Sequence, residues 1–181
     1  MEREFKIWRG DTKKGDFLTY SIKLEQGMVV LDALHKIQAE QAPELGVRWN
    51  CKAGKCGSCS MEINGRPKLA CMTRMNEFPS DKVVIIQPLK TFPIIKDLVT
   101  DVSWNYTQNN KIAPFNPGKK QKNKDRIMYQ NDIERVQEFR KCIECFLCQD
   151  VCHIIRDQDR KDKFVGPRFM IRLASLEMHP L

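Results

Sequence analysis

The sequence predicts an α+β protein in which a small sheet grasps one helix and an all-α half follows. Residues 4–9 and 17–25 alternate in polarity, as strands of a half-buried sheet do. From Met28 the apolar residues recur at helical spacing, and from Ile127 onward helical spacing alone remains. The two halves therefore differ in class, and a stretch punctuated by proline and glycine separates them.

The elements of the first half follow in order along the chain. The polar loop Gly10–Asp16 is predicted to join the first two strands as a β-hairpin. The amphipathic helix that begins near Met28 is expected to reach Gln41. The remaining elements are a short strand at 61–63, an Asn64-Gly65 turn and a β-forming run at 83–86.

These patterns divide the chain into a first domain at 1–92, a linker at 93–126 and a second domain at 127–181. In the linker, Ile95 to Val102 keeps helical spacing, so a short helix is predicted there, followed by an extended connector. The second domain is predicted to be helical through Arg140 and again from Gly166-Pro167.

Composition restricts the class of protein. The chain has 181 residues, a net charge of +8 and a sequence pI near 9.1. It shows no signal-like apolar segment and no apolar run of about 18 residues, which predicts an intracellular protein that is soluble or peripheral. A local basic run comprises Lys119, Lys120, Lys122, Lys124 and Arg126. Its polar, proline-containing surroundings indicate a solvated linker rather than a nucleic-acid interface.

A first cysteine set has the spacing Cys-x4-Cys-x2-Cys and comprises Cys51, Cys56, Cys59 and a later Cys71. This spacing is typical of plant-type [2Fe-2S] ligation. Gly54 and Gly57 allow left-handed backbone that turns N–H groups toward the cluster sulfurs. A structural zinc site and two disulfides are the alternatives, and a reducing compartment disfavours the disulfides.

A second cysteine set has the spacing Cys-x2-Cys-x2-Cys-x3-Cys and comprises Cys142, Cys145, Cys148 and Cys152. This run is typical of bacterial ferredoxins, in which the first three cysteines hold one [4Fe-4S] cluster and the fourth belongs to another. His153 stands where such runs usually have proline. A zinc site, or a helix that carries thiols on one face, is the alternative.

Several stretches together resemble one family. Residues 48–65 resemble its [2Fe-2S] loop, and Leu69-Ala70-Cys71 resembles the segment with the fourth ligand. Residues 92–98 are similar to the segment that leaves its first domain, and residues 142–152 to the start of its second domain. Gly166-Pro167-Arg168 resembles the helix opening that follows. The family is the iron-sulfur subunit of succinate dehydrogenase and fumarate reductase.

The resemblance implies a fold and a function. It implies a β-grasp [2Fe-2S] ferredoxin-like domain followed by an incomplete all-α ferredoxin-like domain. The chain would be the electron-transfer subunit of a respiratory enzyme of the tricarboxylic acid cycle, with no catalytic residue of its own. It would relay single electrons between the FAD of a flavoprotein subunit and a quinone at a membrane anchor, without a nucleic-acid partner. The expected location is peripheral, on the cytoplasmic face of the cell membrane.

The resemblance also implies ligand roles. The first set would hold the [2Fe-2S] cluster, and Cys142, Cys145 and Cys148 would hold the [4Fe-4S] cluster. Cys152 would bind the last cluster, a [3Fe-4S] cluster in a complete chain, or act as fourth ligand of the cube. The family's second domain continues with further cysteines beyond the position of Leu181, so the chain is expected to be truncated. His153 departs from the family's pattern, so the resemblance does not identify the quinone.

Two other functions compete with this interpretation. One is a standalone ferredoxin-like carrier that serves a different oxidoreductase. The other is a zinc-stabilised binding module, for which the basic charge would suit a nucleic acid. Trp8, Trp49 and Trp104 lie in segments of different type, so they are predicted to pack in the core rather than to stack on bases.

Overall fold

The computed structural model describes residues 2–119 and 125–181. Its first part is a sheet of five strands with one helix, and the elements are β1 (Glu2–Gly10), β2 (Gly15–Lys23), α1 (Val30–Glu40), β3 (Ser60–Ile63), β4 (Arg66–Leu69) and β5 (Val84–Gln87). The strand order is β2-β1-β5-β3-β4. Only the pairing of β1 with β5 is parallel among these described strands, and the other pairs are antiparallel. The predicted fold class is confirmed.

The core of this first part lies between the sheet and α1. Phe5 and Ile7 project inward from β1, because alternate residues of a strand face the same side. They meet Leu34 and Ile37 on the buried face of α1, and all four side chains are fully buried. The predicted hairpin and helix are therefore confirmed, and burial of apolar surface holds them together.

The turn between β3 and β4 is the predicted Asn64-Gly65 turn. Both residues have left-handed backbone, with φ of 50° and 74°, as a tight two-residue hairpin requires. The strand β4 that follows was not predicted, because Arg66-Pro67-Lys68 contains no β-branched or aromatic residue. Pairing with β3, rather than local propensity, makes this segment a strand.

The short helix predicted for the linker is present, but it lies after residues 95–102 rather than within them. That segment forms a small hairpin of β6 (Ile94–Lys96) and β7 (Val99–Thr100), and the helix α2 (Ser103–Asn109) follows it. Asp97 occupies the turn with φ of 50°. Its carboxylate accepts hydrogen bonds from the N–H of Gly10 at 2.9 Å and of Gly46 at 2.7 Å. Contacts with distant residues thus override the helical spacing of the local sequence.

The second half is helical, as predicted. Its elements are α3 (Gln130–Arg140), α4 (Leu147–Asp150), α5 (His153–Arg156) and α6 (Pro167–Glu177). The predicted Gly166-Pro167 helix opening is confirmed, with Pro167 in the first turn of α6. A side chain on Gly166 would lie 2.0 Å from Oε1 of Gln149, so glycine permits α4 and α6 to approach closely.

No helix within the described ranges is long and apolar enough to cross a bilayer. In the basic run, Lys119 and Arg126 are exposed, whereas Lys120, Lys122 and Lys124 lie outside the described residues. The prediction of core packing is wrong for Trp49, which is 47% exposed.

Candidate metal centres

The first cysteine set lies in the loop between α1 and β3 and at the end of β4. Cys59 and Cys71 are buried against the core, and the N–H of Cys71 donates to Sγ of Cys59 at 3.4 Å. Cys51 and Cys56 lie nearer to the surface. The structure therefore brings the loop cysteines and the distant Cys71 together, with one pair inside and one pair near solvent.

The backbone of this loop points donors at sulfur. The N–H groups of Ala53 and Lys55 each lie 3.3 Å from Sγ of Cys51. The N–H of Cys51 lies 3.5 Å from Sγ of Cys56. Left-handed backbone at Lys52 and Gly54, with φ of 54° and 65°, produces this curvature. Such donors stabilise negative charge on thiolates and on the inorganic sulfur of a cluster.

The surroundings of Cys56 and Cys59 shift the pKa values of the two thiols in opposite directions. A hydrogen bond with the Ser58 side chain, helped by backbone N–H groups, lowers the pKa of Cys56 to about 6. Burial raises the pKa of Cys59 to about 11. Cys56 therefore favours the thiolate form at neutral pH, whereas Cys59 favours the protonated thiol.

The second cysteine set lies between α3 and α5. Cys142 is exposed, and Cys145, Cys148 and Cys152 are half-buried. Burial raises the pKa of Cys148, and the neighbouring Cys145 and Cys142 act in the same direction. The structure thus brings these three cysteines together, and Cys152 follows as the residue that precedes α5.

The second loop contains backbone strain at residues other than glycine. Glu144 and Phe146, which flank Cys145, have left-handed φ of 56° and 59°. A bulky residue in this region is uncommon and costs free energy, so surrounding contacts must hold it. Phe146 is buried, and it packs edge-to-face against Phe92 at 6.1 Å and Tyr106 at 5.8 Å between ring centroids. Arg168 from α6 pairs with the carboxylate of Glu144.

The two cysteine loops touch each other. Gly57 has φ of 70°, and a Cβ built on it would lie 2.6 Å from Cα of Cys145. A cavity of about 100 Å³ lies beside this contact and is lined by Arg48, Tyr106 and residues of both loops. Glycine at position 57 therefore allows the two loops to meet backbone to backbone.

A buried ionic cluster joins the halves beside the loops. Glu62 of β3 is fully buried, and its Oε1 lies 2.8 Å from Nη2 of Arg156 in α5. Nη1 of Arg156 lies 3.7 Å from Oδ2 of Asp150, whose other oxygen accepts from the N–H of Thr91 at 2.9 Å. Burial raises the pKa of Glu62, and the like charge of Asp150 adds to this. The cluster is absent from the sequence-based predictions, although a carboxylate at Glu62, between Met61 and Ile63, indicates a buried partner.

The donor set fits iron-sulfur clusters in its chemistry. It consists of cysteine sulfurs with aimed N–H groups, in loops whose backbone curvature is fixed. Within residues 2–119 and 125–181, no three histidine, cysteine or carboxylate side chains converge tightly enough to hold one metal ion. A [2Fe-2S] cluster asks for a looser arrangement, because two irons share its four thiolates.

Comparisons with known proteins agree with this chemistry. The family described as "2Fe-2S iron-sulfur cluster binding domain" matches residues 4–107. The succinate dehydrogenase iron-sulfur subunit of Coxiella burnetii is 36% identical over 143 residues, which cover 78% of this chain and 59% of that protein. An uncharacterized iron-sulfur protein of Methanococcus maripaludis is 34% identical over 159 residues, which cover 85% of this chain and 30% of that protein.

A solved structure is also similar. A chain of the Mycobacterium smegmatis Sdh1 complex in the apo form shares 55% sequence identity and has a TM-score of 0.95. The match covers 99% of this chain and 76% of that chain. With respect to the two curated relatives, this chain spans less than two thirds of the length of either.

Proposed function

Because the chain belongs to the family of succinate dehydrogenase iron-sulfur subunits, we propose that it relays single electrons between a flavoprotein's FAD and a membrane quinone. The flavoprotein would convert succinate or fumarate. In this role the chain serves as the electron-transfer subunit of an oxidoreductase and makes no bond in the substrate. The observation that carries the proposal is the contact between Gly57 and Cys145, since electron transfer between two centres depends on their close approach.

The ligand assignment follows the two cysteine sets. The first set, Cys51, Cys56, Cys59 and Cys71, would hold a [2Fe-2S] cluster. In the second set, Cys142, Cys145 and Cys148 would hold a [4Fe-4S] cluster. Cys152 would bind a further cluster, of [3Fe-4S] type, or complete the cube. Each cluster, when bound, supplies a one-electron centre whose potential depends on net charge, hydrogen bonds to sulfur and exposure.

The chain's own residues would set the conditions for the relay. The N–H groups of Ala53 and Lys55 offset negative charge at Cys51, which favours the reduced state of a bound cluster. Phe92 and Phe146 exclude water from the region beside the second loop. The ionic cluster of Glu62, Asp150 and Arg156 fixes the second loop relative to β3.

The organisation proposed for the chain is a first domain at 1–92, a linker at 93–126 whose β6–β7 hairpin packs on that domain, and a second domain at 127–181. The partners proposed are a flavoprotein subunit on one side and a quinone-binding membrane anchor on the other. The chain would then be peripheral, on the cytoplasmic face of the cell membrane. Exposed His153, one residue after Cys152, is a candidate for proton delivery at the quinone side.

The test compares electron delivery with and without the flavoprotein. The chain is purified anaerobically, alone and after co-expression with its flavoprotein, and succinate is added while cluster reduction is followed by low-temperature EPR. We expect succinate to reduce the clusters only in the co-purified sample, and dithionite to reduce them in both.

Two results would contradict the proposal. Cluster reduction by dithionite without any flavoprotein that co-purifies and oxidises succinate would favour a standalone carrier. Protein that contains zinc and no sulfide, even after anaerobic reconstitution, would favour the binding module. A Cys152→Ser variant tests the second set separately, because loss of one EPR signal would assign Cys152 to the corresponding cluster.

A further inference from the structure

The strand β1 carries an arginine at a position whose register faces the core. Arg3 alternates with the fully buried Phe5 and Ile7 on the inward face of the strand. Arg3 itself is 4% exposed, and its Nε and Nη2 atoms have no hydrogen-bond partner. Two buried guanidinium nitrogens without a partner are unfavourable, because they have lost water and gained no compensating acceptor.

Arg3 lines an open cavity of about 270 Å³. One wall is the turn after β2, which includes Gly27 and Met28, and the other is the segment from Arg74 to Ser80. The N–H of Met75 donates to the carbonyl of Met28 at 3.0 Å, so the two walls are joined. The cavity is therefore framed by hydrogen-bonded backbone, as preformed binding sites are.

The polar groups of the cavity favour an anion. Arg74 is a second cation in the wall, and Asn76 and Ser80 can donate hydrogen bonds. In the part of the chain that the structure describes, neither Arg3 nor Arg74 forms an ion pair. The one carboxylate in the described lining belongs to Glu25, and Lys36 already pairs with it at 3.2 Å. The planar guanidinium of Arg3 matches a carboxylate or a phosphate.

The rest of the lining is apolar, and this favours a carboxylate with an alkyl part over a phosphate. Leu24, Met28, Met75 and Phe78 line the cavity beside the arginines. An inorganic phosphate would leave these side chains in contact with water, whereas a carboxylate with a short alkyl body would cover them. We propose that this cavity binds a small organic carboxylate, with Arg3 on the carboxylate and the apolar wall on the alkyl part.

The first experiment measures binding to the anaerobically purified full chain by isothermal titration calorimetry. The probes are acetate, butyrate and inorganic phosphate, with sodium chloride at equal ionic strength as the control. Each buried methylene strengthens binding about fourfold, so we expect butyrate to bind about fifteenfold more tightly than acetate. Phosphate should bind more weakly than butyrate. Equal affinity for phosphate and butyrate, or no binding of butyrate, would overturn the proposal.

The second experiment assigns the binding to Arg3. Without a ligand, Arg3→Met should melt at a higher temperature than the wild type, because it removes an unpaired buried charge. Butyrate should raise the melting temperature of the wild type and of Arg66→Met, an exposed control on β4, but not that of Arg3→Met. Arg74→Gln, a milder change at the rim, should lose affinity severalfold. Unchanged butyrate binding in both Arg3→Met and Arg74→Gln would contradict the site.

Discussion

The two cysteine loops reach similar backbone curvature by different means. The first loop takes left-handed backbone at Lys52, Gly54 and Gly57, two of which are glycine, and lies on the core of its own domain. The second loop places Glu144 and Phe146 in left-handed backbone, which only external contacts can hold. Those contacts come partly from the first half, through Phe92 and the Glu62–Arg156 pair. The first loop is therefore encoded locally, and the second depends on the assembled molecule.

The largest loss of stability is expected when Arg156, the cation between Glu62 and Asp150 in the buried ionic cluster, is removed. Arg156→Met leaves Glu62 and Asp150 as adjacent buried carboxylates, and we expect it to lower the free energy of unfolding by about 3–4 kcal/mol. Anaerobic urea denaturation measures the loss. The second-site EPR signal should disappear at lower urea than the [2Fe-2S] signal. The control is Arg160→Met, whose partner Asp162 is exposed. Simultaneous loss of both signals would contradict local encoding of the first loop.

Removing the aromatic support should have a slightly smaller effect. Phe92 is 3% exposed and packs against Phe146, so Phe92→Ala should cost about 3 kcal/mol through the cavity that it leaves. Phe115→Ala, at a 43% exposed position, should cost less than about 1 kcal/mol. Thermal unfolding compares the two variants. If they are equally stable, Phe92 does not hold the left-handed backbone of Phe146.

Alanine substitutions at Gly54 and Gly57 distinguish the effect of left-handed backbone from the effect of the contact between the two cysteine loops. Gly54 and Gly57 have similar φ, so alanine should cost about 1–2 kcal/mol of backbone strain at either position. At Gly54 the new Cβ meets the flexible side chain of Met72, whereas at Gly57 it meets the backbone of Cys145. Gly57→Ala alone should weaken the magnetic interaction between the reduced clusters in EPR. An equal change in Gly54→Ala would show that the loop contact does not set the spacing.

The smallest expected effect concerns acid sensitivity in the first half. His35 packs at 4.7 Å against the ring of Trp49, and burial, with the charge of Lys52, lowers its pKa. The unfolded chain therefore binds more protons at this residue, and stability should fall as the pH drops through about 6.5. His35→Gln should lose less melting temperature than the wild type between about pH 7.5 and about pH 5.5. Parallel curves for the two proteins would exclude His35 as a cause.

The sequence predicts the first half better than the second loop, and the reason is physical. The hairpin, α1 and the Asn64-Gly65 turn follow from patterns within about ten residues. The turn at Asp97 depends on Gly10 and Gly46, which are distant in sequence, so local helical spacing misled the prediction. The strain at Phe146 was not predictable either, because spacing describes the cysteines and not the backbone between them.

The buried ionic cluster was missed for a related reason. Glu62 lies in an apolar strand, and such a carboxylate requires a partner, but nothing in the sequence identifies Arg156 as that partner. Core packing was predicted for Trp49 because the three tryptophans lie in segments of different type, yet Trp49 lies at the surface between His35 and Lys52. A single sequence does not show which residues distant along the chain contact each other in the folded protein.

The hydrogen bonds of Asp97 have a consequence for dissecting the protein into parts. A polypeptide that stopped at residue 92 would lack the carboxylate that accepts the N–H groups of Gly10 and Gly46. It would also lack Leu98, which is 4% exposed and belongs to the core of the first half. A fragment extended through Thr100 would keep both. The shortest self-sufficient piece with the first four cysteines therefore includes the β6–β7 hairpin. Through Asp97, this hairpin connects the end of β1 at Gly10 to Gly46.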